Sequence, residues 1–461
     1  MKTTEKFKIL IDELYRVHSD RFDWKAERGF PTFSTAKNGR QVHFPTVAQA
    51  AFLDLTKSLY NDTEFHNIKI EYLSFSEVVK KVIVDLFAEN RFLEFYETGE
   101  KQVIKFVNNA IGEKLALLET SFTHHFPAWT ARLEAHEPLQ LGPVVLRNRF
   151  DWLDSVNFSE QAIQEYGESA GNNCRWKDEV RNALRQPKSH VELDGLALAI
   201  YSPISECPAV VSVMIPRYER NFSRKLAKIV CKTALDCLSL ALGQSRFFHQ
   251  QALYEERLPP LSVDSIIESN GYLWMPGMSL GDRLPIISGT LLKQTRKDIE
   301  SLLPAFSFVL ENLVRPSENL YPKLSNRWST ALDWLSEGNR ELTDSIALAK
   351  IGTSLDILSC GGKANGISKM ISNLTKTDEQ KVVVPGDKPL TLKELVCEIY
   401  SNGRSKILHG THFDRLQSFS HMRQQAAFLT RITLIESAMQ LAKYTGSDDD
   451  EKAFCKMLPS E

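Results

Sequence analysis

An arginine and a histidine with four residues between them stand out in the last quarter of the sequence, where residues 404–410 read RSKILHG. Cleavage of RNA needs no metal when the ribose 2′-hydroxyl attacks the neighbouring phosphate, provided that one group moves protons and another stabilises the charge on phosphorus. Histidine, with an ordinary pKa of about 6.5, can move protons near neutral pH. Arginine is permanently charged, and its planar fork matches phosphate oxygens. Arg404 and His409 therefore predict phosphate chemistry on RNA.

The spacing alone is not specific. With 11 His among 461 residues, an Arg and a His this far apart should occur by chance on the order of once or twice. Two other pairs of Arg and His compete with this one. The first lies in a predicted loop and is interrupted by Pro187, whereas the second belongs to the same segment as Arg404. The competing residues are Arg185 with His190, Arg415 with His421, and the nearby His412.

Local context favours Arg404 and His409. Arg404 closes a predicted helix that begins near Leu392, and Ile407 and Leu408 are expected to anchor the next turn in a core. On a straight α-helix, five residues turn about 500°, which leaves the two side chains roughly 140° apart. A helix break near Gly403, or a second protomer across a twofold axis, would bring such groups together.

The length and the pattern changes predict an α+β multidomain protein. At roughly 100 to 200 residues per domain, the chain should carry two to four domains. The predicted segments are an α-rich N-terminal domain (1–122), an α+β middle domain with a sensor or regulatory role (123–318), an all-α helical bundle (319–446) and an acidic, solvated tail (447–461).

Apolar periodicity predicts the elements of these segments. The helical stripes of the first segment are Phe7, Leu10, Ile11 and Leu14; Val79, Val82, Ile83 and Phe87; and Val103, Phe106, Ile111 and Leu115. His124 and His125 are expected in a loop at the domain junction. The middle segment should contain strands at 139–146, 191–200, 210–215 and 265–275, with helices at 223–242 and 292–313. The bundle should contain helical blocks at 328–341, 344–359, 392–400 and 422–444.

Composition excludes several classes of protein. The 56 Lys and Arg against 58 Asp and Glu give a net charge of −2, which argues against a strongly basic nucleic-acid coat. The nucleotide-loop, dinucleotide, hydrolase-elbow and zinc-protease motifs are absent. The 7 Cys include no Cys-x-x-Cys pair, so reduced thiols are expected, with no metal and no cofactor. No secretory signal or membrane span is predicted, which places the protein in the cytoplasm.

The predicted bundle resembles a HEPN domain of the ApeA-like kind over residues 320–445. The resemblance is carried by the four helical blocks, by Asp356 in the second block and by the Arg404-x-x-x-x-His409-Gly410 motif. Residues 139–146 resemble the strand-rich segment that precedes the bundle in that family. The first hundred residues resemble no known family.

The resemblance implies a metal-independent endoribonuclease in which two HEPN domains dimerise and place their motifs in one cleft. Arg404 would stabilise the phosphate, His409 would act as acid or base, and Asp356 would orient one of them. Ser405 stands where the family usually has Asn or another polar residue. Family members often act as toxins in antiviral defence by abortive infection, cutting tRNA or other RNA after a phage-derived or other trigger.

Other readings of these residues stay open. Asn402, Lys406, Lys363 and Lys369 could contact RNA, or the lysines could form a solvated face. Asp356 could be an exposed residue of an amphipathic helix. An Arg404 paired with Glu398 or Asp414 would favour a non-catalytic HEPN scaffold or partner of another enzyme. A metal-dependent nuclease is a third reading, but the sequence has no cluster of acidic residues at the spacing of metal ligands.

Overall fold

The computed structural model describes residues 3–24, 31–61, 69–93, 100–118, 120–166, 175–186, 193, 195–256, 267–273, 286–412, 414 and 416–458. The chain forms two compact units, of which unit 1 spans 1–122 and 215–226, and unit 2 spans 123–214 and 227–461. Helices predominate and small sheets accompany them, so the mixed α+β class is confirmed. Unit 2 holds the predicted bundle and the predicted middle segment apart from 215–226, which belong to unit 1. The separation of middle segment and bundle into two domains stays a prediction.

Unit 1 combines helices with one short hairpin. Its elements are α1 (Thr3–Val17), β1 (Thr32–Thr35), β2 (Gln41–Phe44), α2 (Thr46–Tyr60), α3 (Tyr72–Ala88) and α4 (Glu100–Ala116). The two strands are antiparallel, with Thr32 opposite Phe44. Gly39 adopts φ +83° between them, a conformation that glycine takes without steric cost.

The predicted apolar stripes form the core of unit 1. All members of the first two stripes are buried, as are Ile111 and Leu115 of the third. Phe106 of the third stripe differs, because 44% of its surface is exposed and the guanidinium of Arg91 lies 5.4 Å from the centre of its ring. The side chain of Val103 lies outside the described residues. Burial of one apolar face explains why the sequence pattern predicted these helices correctly.

The sheet of unit 2 has five strands in the order β4-β5-β6-β3-β7. They are β3 (Thr120–Trp129), β4 (Leu139–Leu141), β5 (Val144–Asn148), β6 (Ala209–Tyr218) and β7 (Ala252–Leu253). The predicted strand pair at 139–146 is confirmed as an antiparallel hairpin with Leu139 opposite Leu146. The predicted strand at 210–215 is confirmed within β6. Gly142, at φ +56°, forms the turn of the hairpin.

His124 and His125 lie within β3, so their expected place in a junction loop is wrong. His125 Nδ1 accepts from the indole N–H of Trp152 at 3.1 Å and lies 2.8 Å from the hydroxyl of Ser212. Burial lowers the pKa of His125, and the positive charge of Arg147 lowers it further. The alternation of partly buried and exposed residues along β3 is the strand signal that the sequence contains.

Short helices follow the hairpin, namely α5 (Arg149–Ser155), α6 (Glu160–Tyr166), α7 (Arg175–Arg185) and α8 (Gly195–Ile204). The predicted strand at 191–200 is wrong over its described part, because α8 begins at Gly195. Ala197 and Ile204 of α8 pack into a cluster with Trp152 and Trp176. A short apolar run fits a buried strand and a buried helix equally well, and here tertiary packing selects the helix.

The rest of the middle segment is mainly helical. It contains α9 (Arg220–Leu242), α10 (Ser245–Gln250), a hairpin of β8 (Glu268–Ser269) and β9 (Tyr272–Leu273), α11 (Gly289–Glu300) and α12 (Leu303–Val314). The helix predicted at 292–313 is two helices, and Pro304 lies in the first turn of the second. The described part of 265–275 is the small hairpin. Among the described helices, α9 included, none has the length and apolar character needed to cross a bilayer.

The C-terminal bundle contains the predicted helical blocks. Its elements are α13 (Pro322–Arg340), α14 (Asp344–Leu358), α15 (Lys363–Thr375), β10 (Val382–Val384), β11 (Leu390–Thr391), α16 (Leu392–Cys397), a π-helical segment (Glu398–Ser405), α17 (Lys406–Leu408) and α18 (Ser420–Leu441). Thr391 and Glu394 form a capping box that starts α16.

Two contacts fix the centre of the bundle. Trp328 of α13 is fully buried, and its indole N–H donates to the carbonyl of Leu434 in α18 at 2.9 Å. A Cβ added to Gly338 of α13 would lie 2.6 Å from Ile351 Cγ1 of α14, so this glycine allows the two helices to cross closely. The helix that carries Asp356 is therefore held by packing along its length.

The acidic segment after the bundle is not a free tail. The carboxylate of Asp448 accepts from the backbone N–H groups of Lys323 and Leu324, each at 3.0 Å, in the first turn of α13. A final short helix, α19 (Ala453–Lys456), buries Phe454 completely. The expected solvated terminus is therefore wrong for this part, because a carboxylate is stabilised by the unpaired N–H groups and positive dipole end of a helix.

Candidate active site

The predicted site residues lie on two adjacent elements of unit 2, α14 and the π-helical segment. A Cβ added to Gly352 of α14 would lie 2.8 Å from Arg404 Cβ, and one added to Gly403 would lie 2.7 Å from Leu348 Cδ2. Such distances are too short for a real Cβ contact. The two glycines therefore permit a close approach that places Arg404 against Asp356.

Arg404 is held by three side chains. Its Nη2 lies 3.0 Å from Asp356 Oδ2, its Nη1 donates to the Tyr400 hydroxyl at 3.3 Å, and its Nε donates to the Thr353 hydroxyl at 3.5 Å. The side chain remains 20% exposed. A guanidinium has five N–H donors, so these contacts leave one N–H on each terminal nitrogen for an external partner.

Asp356 is an internal partner of Arg404, and the alternative of an exposed helix residue is wrong. Its side chain is 16% exposed, and its second oxygen, Oδ1, is buried without a hydrogen-bond partner in the described part of the chain. A buried carboxylate needs a compensating charge. Arg404 supplies that charge, so each residue constrains the other.

Tyr400 contacts the Arg404 guanidinium with its ring as well as with its hydroxyl. The guanidinium carbon of Arg404 is 5.2 Å from the centre of the Tyr400 ring, which is within the range of a cation–π contact. Burial raises the pKa of Tyr400, and the negative charge of Asp356 raises it further. The phenol is therefore held in its neutral form next to the arginine.

The backbone before His409 differs from both predicted arrangements. Residues 398–405 form a π-helix instead of breaking near Gly403, and Gly403 itself is buried. A π-helical turn inserts extra chain into a helix and is frequent at functional sites. It changes the direction in which the following residues project, so the 140° expected for a straight α-helix does not apply here.

His409 is the C-cap residue, directly after the last residue of α17. The N–H of Gly410 bonds the carbonyl of Ile407 at 3.2 Å, and the N–H of Thr411 bonds the carbonyl of Lys406 at 2.9 Å. With Gly410 at φ +67°, this is the Schellman pattern that ends helices. His409 is exposed, and the described part of the chain gives its side chain no contact with Arg404 or Asp356.

The residues around His409 are less buried than expected. Leu408 is 56% exposed, so the prediction that it anchors a core turn is wrong, while Ile407 is partly buried. The helix end that presents His409 to solvent therefore rests on the π-helical segment and α14 instead of on its own apolar side chains.

The polar neighbours of the motif have separate surroundings. Asn402 donates to Glu398 at 2.7 Å, so Glu398 is occupied by Asn402 and not by Arg404. Ser405 is partly buried, and its carbonyl accepts from the N–H of His409 at 3.0 Å. Lys406 is exposed. In the described structure Arg404 pairs with Asp356 and not with Glu398 or Asp414, the pairing that would favour a scaffold.

The lysines predicted to bind RNA lie on α15. Lys363 opens this helix at φ +53° and Lys369 follows two turns later. Both side chains are exposed. Their contact with RNA stays a prediction.

The rival basic residues have other settings. His412 Nε2 lies 2.7 Å from the carbonyl of Asp414, and its ring packs on Phe419. His421 lies 3.4 Å from Gln425, at the edge of a cavity of about 410 Å³ bounded by Phe428. Arg185 ends α7, while Arg415 and His190 lie outside the described residues.

We expect Gly352→Ala to disturb the site far more than Gly366→Ala. The new Cβ at 352 would meet Arg404 Cβ at 2.8 Å, whereas Gly366 in α15 has no neighbour within 4 Å. Overpacking at 352 should cost about 1–3 kcal/mol. At 366, alanine should stabilise the helix by about 0.5–1 kcal/mol. Thermal unfolding of both variants tests this, and equal melting temperatures would contradict the close approach.

Within the described residues, no group of three or more His, Cys, Asp or Glu side chains is placed to hold a metal ion. The chain matches no protein-family model, no curated protein and no solved structure. The resemblance to HEPN domains therefore stays a prediction. The geometry around Arg404 is what bears on function.

Proposed function

We propose that this protein is a metal-independent endoribonuclease of the HEPN type, with Arg404 and His409 as its catalytic residues. The observation that supports this most directly is the partly exposed Arg404, held by Asp356, Tyr400 and Thr353 with N–H groups to spare. A preorganised cation that solvent can reach suits a developing phosphate charge. The biological role proposed is antiviral defence, by cutting tRNA or other RNA after a trigger.

The reaction proposed is transesterification. A base removes the proton of the ribose 2′-hydroxyl, the 2′-oxygen bonds to phosphorus, and the bond from phosphorus to the 5′-oxygen breaks as that oxygen receives a proton. The products end in a 2′,3′-cyclic phosphate and a 5′-hydroxyl. Exposed His409 can exchange protons with an RNA substrate, and Arg404 can bind two phosphate oxygens at once.

Two copies of the chain would complete the site. Within one chain, His409 lies at the helix end and makes no contact with Arg404, so a single motif offers one proton-transfer group. The reaction needs both a base and an acid. A twofold dimer would supply two histidines and two arginines in one cleft.

A non-catalytic HEPN scaffold is the second candidate. The observation in its favour is that Arg404 already has an internal acid partner in Asp356 at 3.0 Å. Such an ion pair would also exist in a protein that only binds RNA or another enzyme.

His409→Ala should abolish RNA cleavage, because a general acid or base contributes typically about 10²–10⁴-fold to rate. Purified wild type and His409→Ala are incubated with total cellular RNA in chelator, and fragment lengths and 3′ ends are determined. Cyclic phosphate ends from wild type alone would support the proposal. His421→Ala, a matched change of an exposed histidine in the same unit, should cleave like wild type.

Equal cleavage by wild type and His409→Ala would contradict the role of His409. If neither protein cleaves, the toxicity of expression decides between an effector awaiting its trigger and a scaffold. Toxicity relieved by His409→Ala would favour the effector. Toxicity that survives the substitution would count against the enzyme.

A further inference from the structure

Tyr400 of the π-helical segment and Thr353 of α14 both contact the Arg404 guanidinium. Neither residue belongs to the Arg-x-x-x-x-His motif. We propose that Tyr400 and Thr353 are positioning residues, which fix the plane and direction of this guanidinium so that its two free N–H groups meet the two non-bridging oxygens of one phosphodiester. The proposal rests on the proposed ribonuclease function for its consequence, although the positioning itself can be measured without activity.

Tyr400 restrains Arg404 from two sides. Its ring face lies under the guanidinium, with 5.2 Å between the guanidinium carbon and the ring centre, and its hydroxyl accepts from Nη1 at 3.3 Å. Tyr400 precedes Arg404 by four residues, so both project from the same stretch of helix. Stacking resists tilting of the guanidinium plane, and the hydroxyl resists its rotation within that plane.

Thr353 restrains the inner end of the same group. Its hydroxyl donates to the carbonyl of Ala349 at 2.8 Å, one turn earlier in α14. The hydroxyl proton is therefore committed, and an oxygen lone pair is left to accept from Arg404 Nε at 3.5 Å. The backbone of α14 thus sets the direction of this acceptor.

The Asp356 ion pair alone would not achieve this. A single contact between Nη2 and Oδ2 leaves the guanidinium free to turn about that contact. With Thr353 at Nε, Tyr400 at Nη1 and Asp356 at Nη2, every nitrogen has one fixed partner. One donor then remains on each of Nη1 and Nη2, which is the pair suited to bidentate phosphate binding.

The test measures how fast phenylglyoxal modifies Arg404, by mass spectrometry of the full-length protein after digestion. Tyr400→Leu removes the ring and the hydroxyl and should raise the rate at Arg404 about 10-fold, which corresponds to the loss of one cation–π contact and one hydrogen bond. Tyr400→Phe keeps the ring and should raise it about 3-fold or less. Arg315, in a partly exposed pair with Glu311, is the internal reference and should not change.

Unchanged reactivity of Arg404 in Tyr400→Leu, with Arg315 also unchanged, would overturn the proposal. If Tyr400→Leu unfolds, Arg315 will react faster as well, and the double variant Tyr400→Phe with Thr353→Val then decides. It removes both hydroxyl contacts and keeps the shapes of the side chains. A rise of about 5-fold at Arg404 alone would support positioning, and no rise would overturn it.

Cleavage kinetics give a second, separate readout. If wild type cleaves RNA, Tyr400→Leu should lower kcat about 10-fold with little change in KM, and Tyr400→Phe should recover most of the loss. A purely structural role would not give recovery by the ring alone. If wild type does not cleave RNA, the proposed function fails while the reactivity test of Tyr400 and Thr353 still stands.

Discussion

In the proposed ribonuclease, Arg404→Lys is expected to lower the rate of RNA cleavage by about 10²–10³-fold, the usual loss when a preorganised donor to a developing oxyanion is removed. A lysine has one compact charge and three donors. It cannot keep partners at Thr353, Tyr400 and Asp356 and still offer two donors in one plane. The charge is conserved in this variant, so the loss would report the geometry of the guanidinium.

The measurement is single-turnover cleavage of a short RNA with protein in excess, which isolates the chemical step from product release. Arg315→Lys is the matched control, because Arg315 belongs to the same unit and forms a partly exposed pair with Glu311 at 3.4 Å. Its cleavage rate should equal that of wild type. An Arg404→Lys rate within about 3-fold of wild type would mean that charge alone suffices and that the fork has no catalytic role.

Asp236→Ala is expected to lower the free energy of unfolding by about 3–5 kcal/mol, because it removes the fully buried carboxylate that pairs with the largely buried guanidinium of Arg340. Asp236 of α9 is 1% exposed and pairs with Arg340 Nη2. Arg340 also donates through Nε to the carbonyl of Phe248 at 2.9 Å and through Nη1 to Glu337 at 3.2 Å.

Urea unfolding followed by circular dichroism measures this effect. Glu311→Ala, which breaks the partly exposed pair with Arg315, should change the free energy of unfolding by less than about 1 kcal/mol. Equal losses from the two variants would contradict the importance of burial. Burial raises the pKa of Asp236 to about 6 despite the attraction of Arg340 and Lys232. An apolar pair, Asp236→Leu with Arg340→Met, should therefore restore most of the stability.

Periodicity predicted elements that bury one face. The stripes of α1 and α3, the hairpin at 139–146 and the bundle helices agree with the structure, because each buries residues at the spacing that the pattern shows. The pattern gave wrong predictions where an element is short or buried on both faces. The apolar run at 195–200 fits a strand and a helix equally well. At 124–125 the paired histidines predicted a loop, although burial alternates along β3.

The π-helical segment could not be predicted from the sequence, since the close approach of Gly403 to Leu348 joins two elements far apart in the chain. The motif and the resemblance predict roles for Arg404, His409 and Asp356. They do not include Tyr400 and Thr353, which the structure places against Arg404. A usable signal existed for both, because Tyr400 precedes Arg404 by four residues and Thr353 precedes Asp356 by three, which places each pair on one helix face.

The end of α9 has a practical consequence for anyone expressing the bundle alone. Arg431 of α18 donates from Nε to the carbonyl of Leu240 at 2.7 Å and from Nη2 to that of Ala241 at 3.0 Å, and so covers the last turn of α9. Arg340 of α13 pairs with Asp236, which also lies on α9. A fragment cut at residue 319 would keep both arginines and lose their partners on α9, so the expression boundary belongs before α9.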